Sequence, residues 1–248
     1  MQIKITKMEI PKIVTLEPEP DKTDDASAKK HFRVLVLLLF VVVGIVCGLI
    51  VFKIVLPGLR PPIVKTSFGV VKGATWMRAG RPVSVFLGVP FAKPPIGKLR
   101  FKKPVKSEPW APEVFNALKQ PPACVQFLPP KRIKSWTPVT QSEDCLYLNI
   151  YVPGKPDSKN RLPVIVWIHG GAFYFGSIAQ YDPSPLVATG KVIVVSIAYR
   201  LGIFGFLSSN NKEEAPGNVG LHDQVMAIKW IRQHIGSFGG NYFIFTEN

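Results

Sequence analysis

The 248-residue sequence is poor in cysteine and in negative charge, and it contains no Asn-x-Ser/Thr sequon. Three cysteines exclude a small scaffold held together by disulfides. No His/Cys spacing of a metal site and no Gly-rich phosphate-binding loop occurs, so neither a metal nor another cofactor is expected. Only 16 acidic residues stand against 31 Lys and Arg, a formal charge of +15. Such a charge raises nucleic acid or an anionic membrane as a partner. The 47% hydrophobic content excludes a disordered chain. Length alone allows one large domain or two small ones.

What is there begins with Val34–Phe52 (VLVLLLFVVVGIVCGLIVF), an uncharged run. At about 1.5 Å per residue, a helix of that length nearly crosses the ~30 Å hydrocarbon core. A buried core helix would show a polar face, and this run has none, so the lipid bilayer is the expected partner of residues 34–56. A cleaved signal peptide fits poorly, because 33 polar residues precede the run and no small-x-small site follows it. Lys29, Lys30 and Arg33 crowd its N-terminal end, whereas Lys53, Arg60 and Lys65 are spread beyond the other. The positive-inside rule then favours a single-pass type II arrangement, with the C-terminal part outside. Residues 1–33 read as a solvated cytoplasmic tail, and residues 57–66 (with LPGLRPP at Leu56–Pro62) as a stalk. Cys47 lies inside the run, which leaves Cys124 and Cys145 as the pair outside it; in an oxidising compartment these two can bond.

Beyond the stalk, Lys65–Gly73 and Val83–Leu87 alternate like short antiparallel strands. Pro90–Pro138 is rich in loop signals. Cys145–Val152 reads as a strand, and Val164–Ile168 and Lys191–Ala198 as short strands buried on both faces. Gly220–Ile235 carries apolar residues at Leu221, Val225, Ile228, Trp230, Ile231 and Ile235, a spacing that predicts an amphipathic helix. The expected class is α/β. In Trp167–Ser177 (WIHGGAFYFGS) an apolar strand runs into Gly170, Gly171 and Ala172. Residues so small leave backbone N–H groups open to a common acceptor, as an oxyanion requires; an ordinary glycine turn is the bland alternative.

Six segments in order resemble the N-terminal portion of the type-B carboxylesterase family, which includes cholinesterases and neuroligin-like adhesion proteins. They are Phe86–Pro104 (FLGVPFAKPPIGKLRFKKP), Ser142–Pro153 (SEDCLYLNIYVP), His169–Phe173 (HGGAF), Tyr199–Leu207 (YRLGIFGFL), Ala215–Trp230 (APGNVGLHDQVMAIKW) and Phe238–Asn241 (FGGN). The resemblance covers residues 67–241 and implies a truncated α/β-hydrolase fold over 67–248. It implies that Gly171 and Ala172 supply oxyanion donors, that Gly170 shapes the turn, and that His169 is structural. It further implies a Cys124–Cys145 disulfide and two buried ion pairs, Arg100 with Glu143 and Arg200 with Asp223. Without the resemblance, each pair reads as a solvated surface bridge of little worth. Trp136, nine residues before Cys145, resembles the cholinesterase Trp that binds a quaternary ammonium by cation–π attraction. Plain packing is its simpler role, and Pro129 stands where an acidic gorge residue is common.

The family's nucleophile lies in a G-x-S-x-G elbow, and this sequence has none. Counting from Asn241, the serine falls about three residues beyond Asn248, and the acid and base follow later. His222 and His234 read as structural histidines. An esterase represented by an incomplete chain, inactive alone, is therefore expected, with an ester as substrate in the full-length family. The alternative is a non-catalytic adhesion or recognition protein with a protein ligand. Val164–Ile168 is expected to be left as an unpaired, hydrophobic sheet edge. The basic cluster Lys93, Lys98, Arg100, Lys102, Lys103 and Lys106 lies within the first signature, with no RNP, helix-turn-helix or zinc pattern, so nucleic acid is excluded as a partner.

Overall fold

The computed structural model describes residues 22–54, 61–127, 140–211 and 213–246; side chains are described throughout except at 22–29, 50–54 and 242–246. Two compact units result, Met1–Val55 and Leu56–Asn248. In the first, α1 (Lys22–Ile54) is a single helix that extends into the polar residues ahead of the apolar run. Its segment Lys30–Leu49 is long and apolar enough to cross a membrane, and none of that stretch is buried.

The second unit is built on a six-stranded mixed sheet. Its strands are β3 (Ala74–Arg78), β4 (Arg81–Pro90), β8 (Tyr147–Pro153), β9 (Leu162–Ile168), β10 (Ile193–Ile197) and β11 (Gly240–Thr246), in the order β11-β9-β10-β8-β4-β3. From β3 to β10 neighbouring strands are antiparallel. The β10–β9 and β9–β11 pairs are parallel. A smaller sheet joins β1 (Ile63–Thr66), β2 (Gly69–Lys72) and β5 (Val114–Asn116), and a short parallel pair joins β6 (Ala123–Cys124) to β7 (Gln141–Ser142).

Alternation along the strands divides the core into two layers. Ile150, Ile193, Val195 and Phe86 pack with Ala227, Trp230 and Ile231 of α4 (Val219–His234) on one face. Tyr151, Val194, Val83 and Val85 pack with Val187 and Ala188 of α2 (Ser184–Gly190) on the other. Within β4 the register slips between Phe86 and Val89. The irregularity is held by the buried Asn149, whose Oδ1 accepts from the Gly88 N–H at 2.9 Å. Helices on both faces of a mixed sheet are the architecture expected of an α/β-hydrolase fold.

Two expectations change. Val164–Ile168 is not an unpaired edge: β9 lies between β10 and β11, with Val164 opposite both Ile193 and Phe245. Residues 242–245 (YFIF) are aromatic and β-branched, a composition suited to a strand, and they take the open side of β9. The inner face of α4 is also rotated from the one its apolar residues suggest. Val219, Asp223, Ala227, Trp230, Ile231 and His234 point inward, while Leu221 and Val225 are 41% and 48% exposed. An ionic partner for Asp223 sets that rotation.

Candidate active site

Residues 169–176 leave β9 as a tight loop whose backbone is unusual at four positions. Gly171, Ala172, Phe173 and Gly176 have φ of 123°, 52°, 63° and 135°. Left-handed backbone at two non-glycine residues in a row is costly and persists only where the surroundings impose it. At Gly171 the restriction is steric as well, since a Cβ there would stand 1.7 Å from Phe175 O. Gly170 has no such crowding.

Three anchors impose the shape. At the start, Tyr199 Oη donates to His169 O at 2.8 Å, and the two rings stack with centroids 4.5 Å apart. At the middle, the Gly202 N–H donates to Phe173 O at 2.7 Å. Gly202 opens α3 (Gly202–Phe206), which follows β10. At the end, Gly176 is held from both sides of its peptide by the side chain of Gln126. His169 is buried, and desolvation holds its imidazole below the ordinary value. Its Nδ1 lies 3.1 Å from Gly170 O, so its bonding serves the loop's own backbone.

The turn bonds run from the Tyr174 and Phe175 N–H groups back to Gly171 O. The N–H groups of Gly170, Gly171 and Ala172 donate to no acceptor among the described residues. Adjacent unpaired N–H groups in a positive-φ segment form a concavity suited to an anionic oxygen. Beside it lies a cavity of about 390 Å³ lined by Ala172, Phe173, Tyr174, Ile203, Phe206 and Leu207, an apolar wall next to polar donors. No group of three or more His, Cys, Asp or Glu residues that could hold a metal occurs among the described residues.

Cys124 and Cys145 form a disulfide and are both buried. Arg200 meets Asp223 of α4, with side chains 3% and 0% exposed. Burial raises the Asp223 carboxyl, and the Arg200 guanidinium pulls it back. Arg100 does reach Glu143, through bonds of 2.5 and 2.6 Å, but these side chains are 44% and 23% exposed. That pair is a surface bridge, contrary to the buried one implied by the resemblance. Arg100 follows a one-turn 3-10 helix with no buried residue, so it has no interior to enter. His222 and His234 lie on α4, away from the loop in sequence, and His234 is packed between the rings of Phe68 and Trp230. Trp136 and Pro129 lie outside the described residues.

Gln126 escaped the sequence reading, because a lone glutamine two residues after a cysteine carries no motif. The Tyr199 anchor was likewise unmarked, although it heads a recognised segment.

The Carboxylesterase family profile matches residues 60–242 of the chain. Carboxylesterase 1D of Mus musculus is 47% identical over 191 residues, covering 73% of this chain and 34% of that protein. Acetylcholinesterase of Leptinotarsa decemlineata is 44% identical over 209 residues, 75% of this chain and 33% of that one. Acetylcholinesterase of Danio rerio is 47% identical over 188 residues, 72% of this chain and 29% of its own length. The chain thus spans about a third of the length of the curated relatives it matches.

Proposed function

The chain belongs to the carboxylesterase family, and on that footing we propose that its Leu56–Asn248 unit supplies the oxyanion-binding part of a carboxylic ester hydrolase site. The observation that carries this reading is the triplet of unpaired N–H groups at Gly170–Ala172, held in a backbone shape that only outside anchors can maintain. When a nucleophile attacks an ester carbonyl, negative charge collects on the carbonyl oxygen. The Gly171 and Ala172 N–H groups are positioned to receive it, and one such donor is worth about 3 kcal/mol in the transition state. The apolar cavity beside Ala172 suits the hydrocarbon part of an ester. Ala172 serves as well as glycine because only its N–H takes part.

Hydrolysis also needs a nucleophile, a base and an acid that orients the base. None of the 248 residues lies in a G-x-S-x-G elbow, so these residues alone carry out no acyl transfer. A fluorophosphonate serine probe tests this directly: the purified chain remains unlabelled, and covalent labelling would contradict it. The oxyanion role is tested in a chimera that joins residues 1–242 to the complementary remainder of the mouse carboxylesterase. The chimera hydrolyses a p-nitrophenyl ester, and lactic acid in place of Ala172, which turns the N–H into an ester oxygen while leaving the side chain and φ free to stay as they are, lowers kcat by roughly 10²–10³. Full activity in the ester-backbone variant would overturn the assignment.

The same reading places the protein in a membrane through α1, as a type II signal anchor with its N-terminus cytoplasmic. The cations Lys29, Lys30 and Arg33 before the apolar run support this orientation. The Cys124–Cys145 disulfide supports an oxidising compartment for the second unit. Protease added to sealed microsomes leaves residues 56–248 protected; digestion of that unit without detergent would reverse the orientation.

A further inference from the structure

We propose that Gln126 is a positioning residue: its side-chain amide locks the far end of the oxyanion loop to the disulfide-bonded strand at Cys124. The proposal rests on the reading of Gly171 and Ala172 as oxyanion donors.

The Gln126 carboxamide bonds to Gly176 in both directions, as a neighbouring strand would. Its Oε1 accepts from the Gly176 N–H at 2.8 Å, and its Nε2 donates to Gly176 O at 2.9 Å. The same Nε2 donates to Cys124 O at 2.9 Å. Gln126 is itself held, since its backbone N–H donates to Gln141 Oε1 at 2.9 Å, beside the β6–β7 pair. Cys124, two residues earlier, is bonded to Cys145, two residues before β8 begins. The loop is therefore tied through one amide to a crosslinked part of the core.

The link reaches the donors because Gly176 is packed directly against them. A Cβ at Gly176 would lie 2.2 Å from His169 Nδ1 and 2.4 Å from Gly170 O. Any shift of the Gly176 peptide moves the residues that precede Gly171. A carboxamide is also the one uncharged side-chain group that offers an acceptor and two donors from a single plane. Glutamate keeps the shape but has no donor at neutral pH, and methionine keeps the length without either function.

The test is hydrogen exchange of the full chain in detergent, read on the peptide spanning residues 169–177, with Gln126→Met and Gln126→Glu as variants. With three bonds lost, exchange of this peptide in Gln126→Met rises about tenfold or more, equivalent to ~1.4 kcal/mol. Peptides from β8 and β10 remain at wild-type rates. Gln126→Glu raises it as well, because a carboxylate oxygen then faces the Gly176 and Cys124 carbonyl oxygens that accept from Nε2. The Gly171 and Ala172 amide resonances move in both variants. In the wild type, the Gln126 side-chain amide protons exchange slowly, a readout that holds even if a variant fails to fold.

Loop exchange within twofold of wild type in Gln126→Met overturns the proposal, as does an equal rise throughout the unit. Solvent-rate exchange of the wild-type Gln126 amide overturns it too. These readouts report loop order and not turnover. A chimera that fails to hydrolyse esters while its loop stays protected refutes the catalytic reading and leaves the Gln126 clamp standing.

Discussion

The Arg200 guanidinium meets the Asp223 carboxylate through two bonds of 2.7 Å, Nε to Oδ2 and Nη2 to Oδ1, in a site closed to solvent. The Arg200 backbone N–H adds a third bond to the same carboxylate at 3.1 Å. The pair joins the segment after β10 to α4. Breaking it leaves an unpaired charge inside the protein. Asp223→Ala is expected to lower unfolding stability by about 3–5 kcal/mol, measured by urea denaturation. Arg200→Lys loses the two-pronged geometry and is also destabilising. Arg100→Ala, at the surface pair, has a much smaller effect in the same assay; equal losses for the two arginines would refute the contrast in burial.

Adjacent glycines in the loop after β9 should respond differently to alanine. Gly171→Ala places a Cβ into Phe175 O with φ at 123°, so the loop must rearrange. It is expected to cost more than about 2 kcal/mol. Gly170→Ala meets nothing within 4 Å and should change stability little. Thermal melts of the two single variants, measured side by side, decide the matter.

Loss of the Cys124–Cys145 crosslink should lower stability by about 2–4 kcal/mol, seen as a reduced urea midpoint in the Cys124→Ser, Cys145→Ser double variant. Because Gln126 hangs from Cys124, the 169–177 peptide should lose protection before the β8 peptide does. Loss in the opposite order would mean that the loop is held independently of the disulfide.

Stability should fall on mild acidification. Burial, with a smaller contribution from the Lys106 charge, holds the His234 imidazole down at about 4 instead of 6.5. The folded value is the lower one, so the unfolded chain takes up the proton first as pH drops. The contribution of neutral His234 is complete above about pH 6.5, declines between there and about 4, and is lost below. Burial shifts His169 in the same sense. Urea midpoints measured across this window should decline, and His234→Phe, which fits between Phe68 and Trp230, should flatten part of the slope. An unchanged slope in that variant would exclude His234 as a source.

A charge placed in the middle of α1 should weaken membrane association. Val42→Lys puts an ammonium at the centre of the apolar stretch, at a cost of about 2.5–3.5 kcal/mol for insertion. Carbonate extraction of membranes should release more of the variant than of the wild type.

Much of this was legible in local pattern. The strands β9 and β10 announced themselves as β-branched runs and β8 as an apolar segment, because strand pattern is read residue by residue along the chain; the burial of β9 on both faces was not legible, and beyond Val164 it is only half-buried. The glycine-rich exit from β9 marked the loop for the same reason: small residues leave backbone polar groups uncovered. The face of α4 was misread because Asp223 occupies an inward position, and a buried carboxylate looks like a surface residue until its arginine is known. The pairing of β9 with β11 was also missed, since a strand's neighbour is a matter of register between distant segments.

The sequence by itself determined the uncharged run of α1, the family membership and the run of small residues that leaves β9. These depend on side-chain type and spacing along the chain. Only the tertiary structure decided which arginine pair is buried and what fills the open side of β9. It alone decided that Gln126 reaches across fifty residues to grip Gly176. Each of those depends on contacts between groups far apart in sequence, where a single amide or carboxylate has no signature until the fold brings its partner within bonding distance.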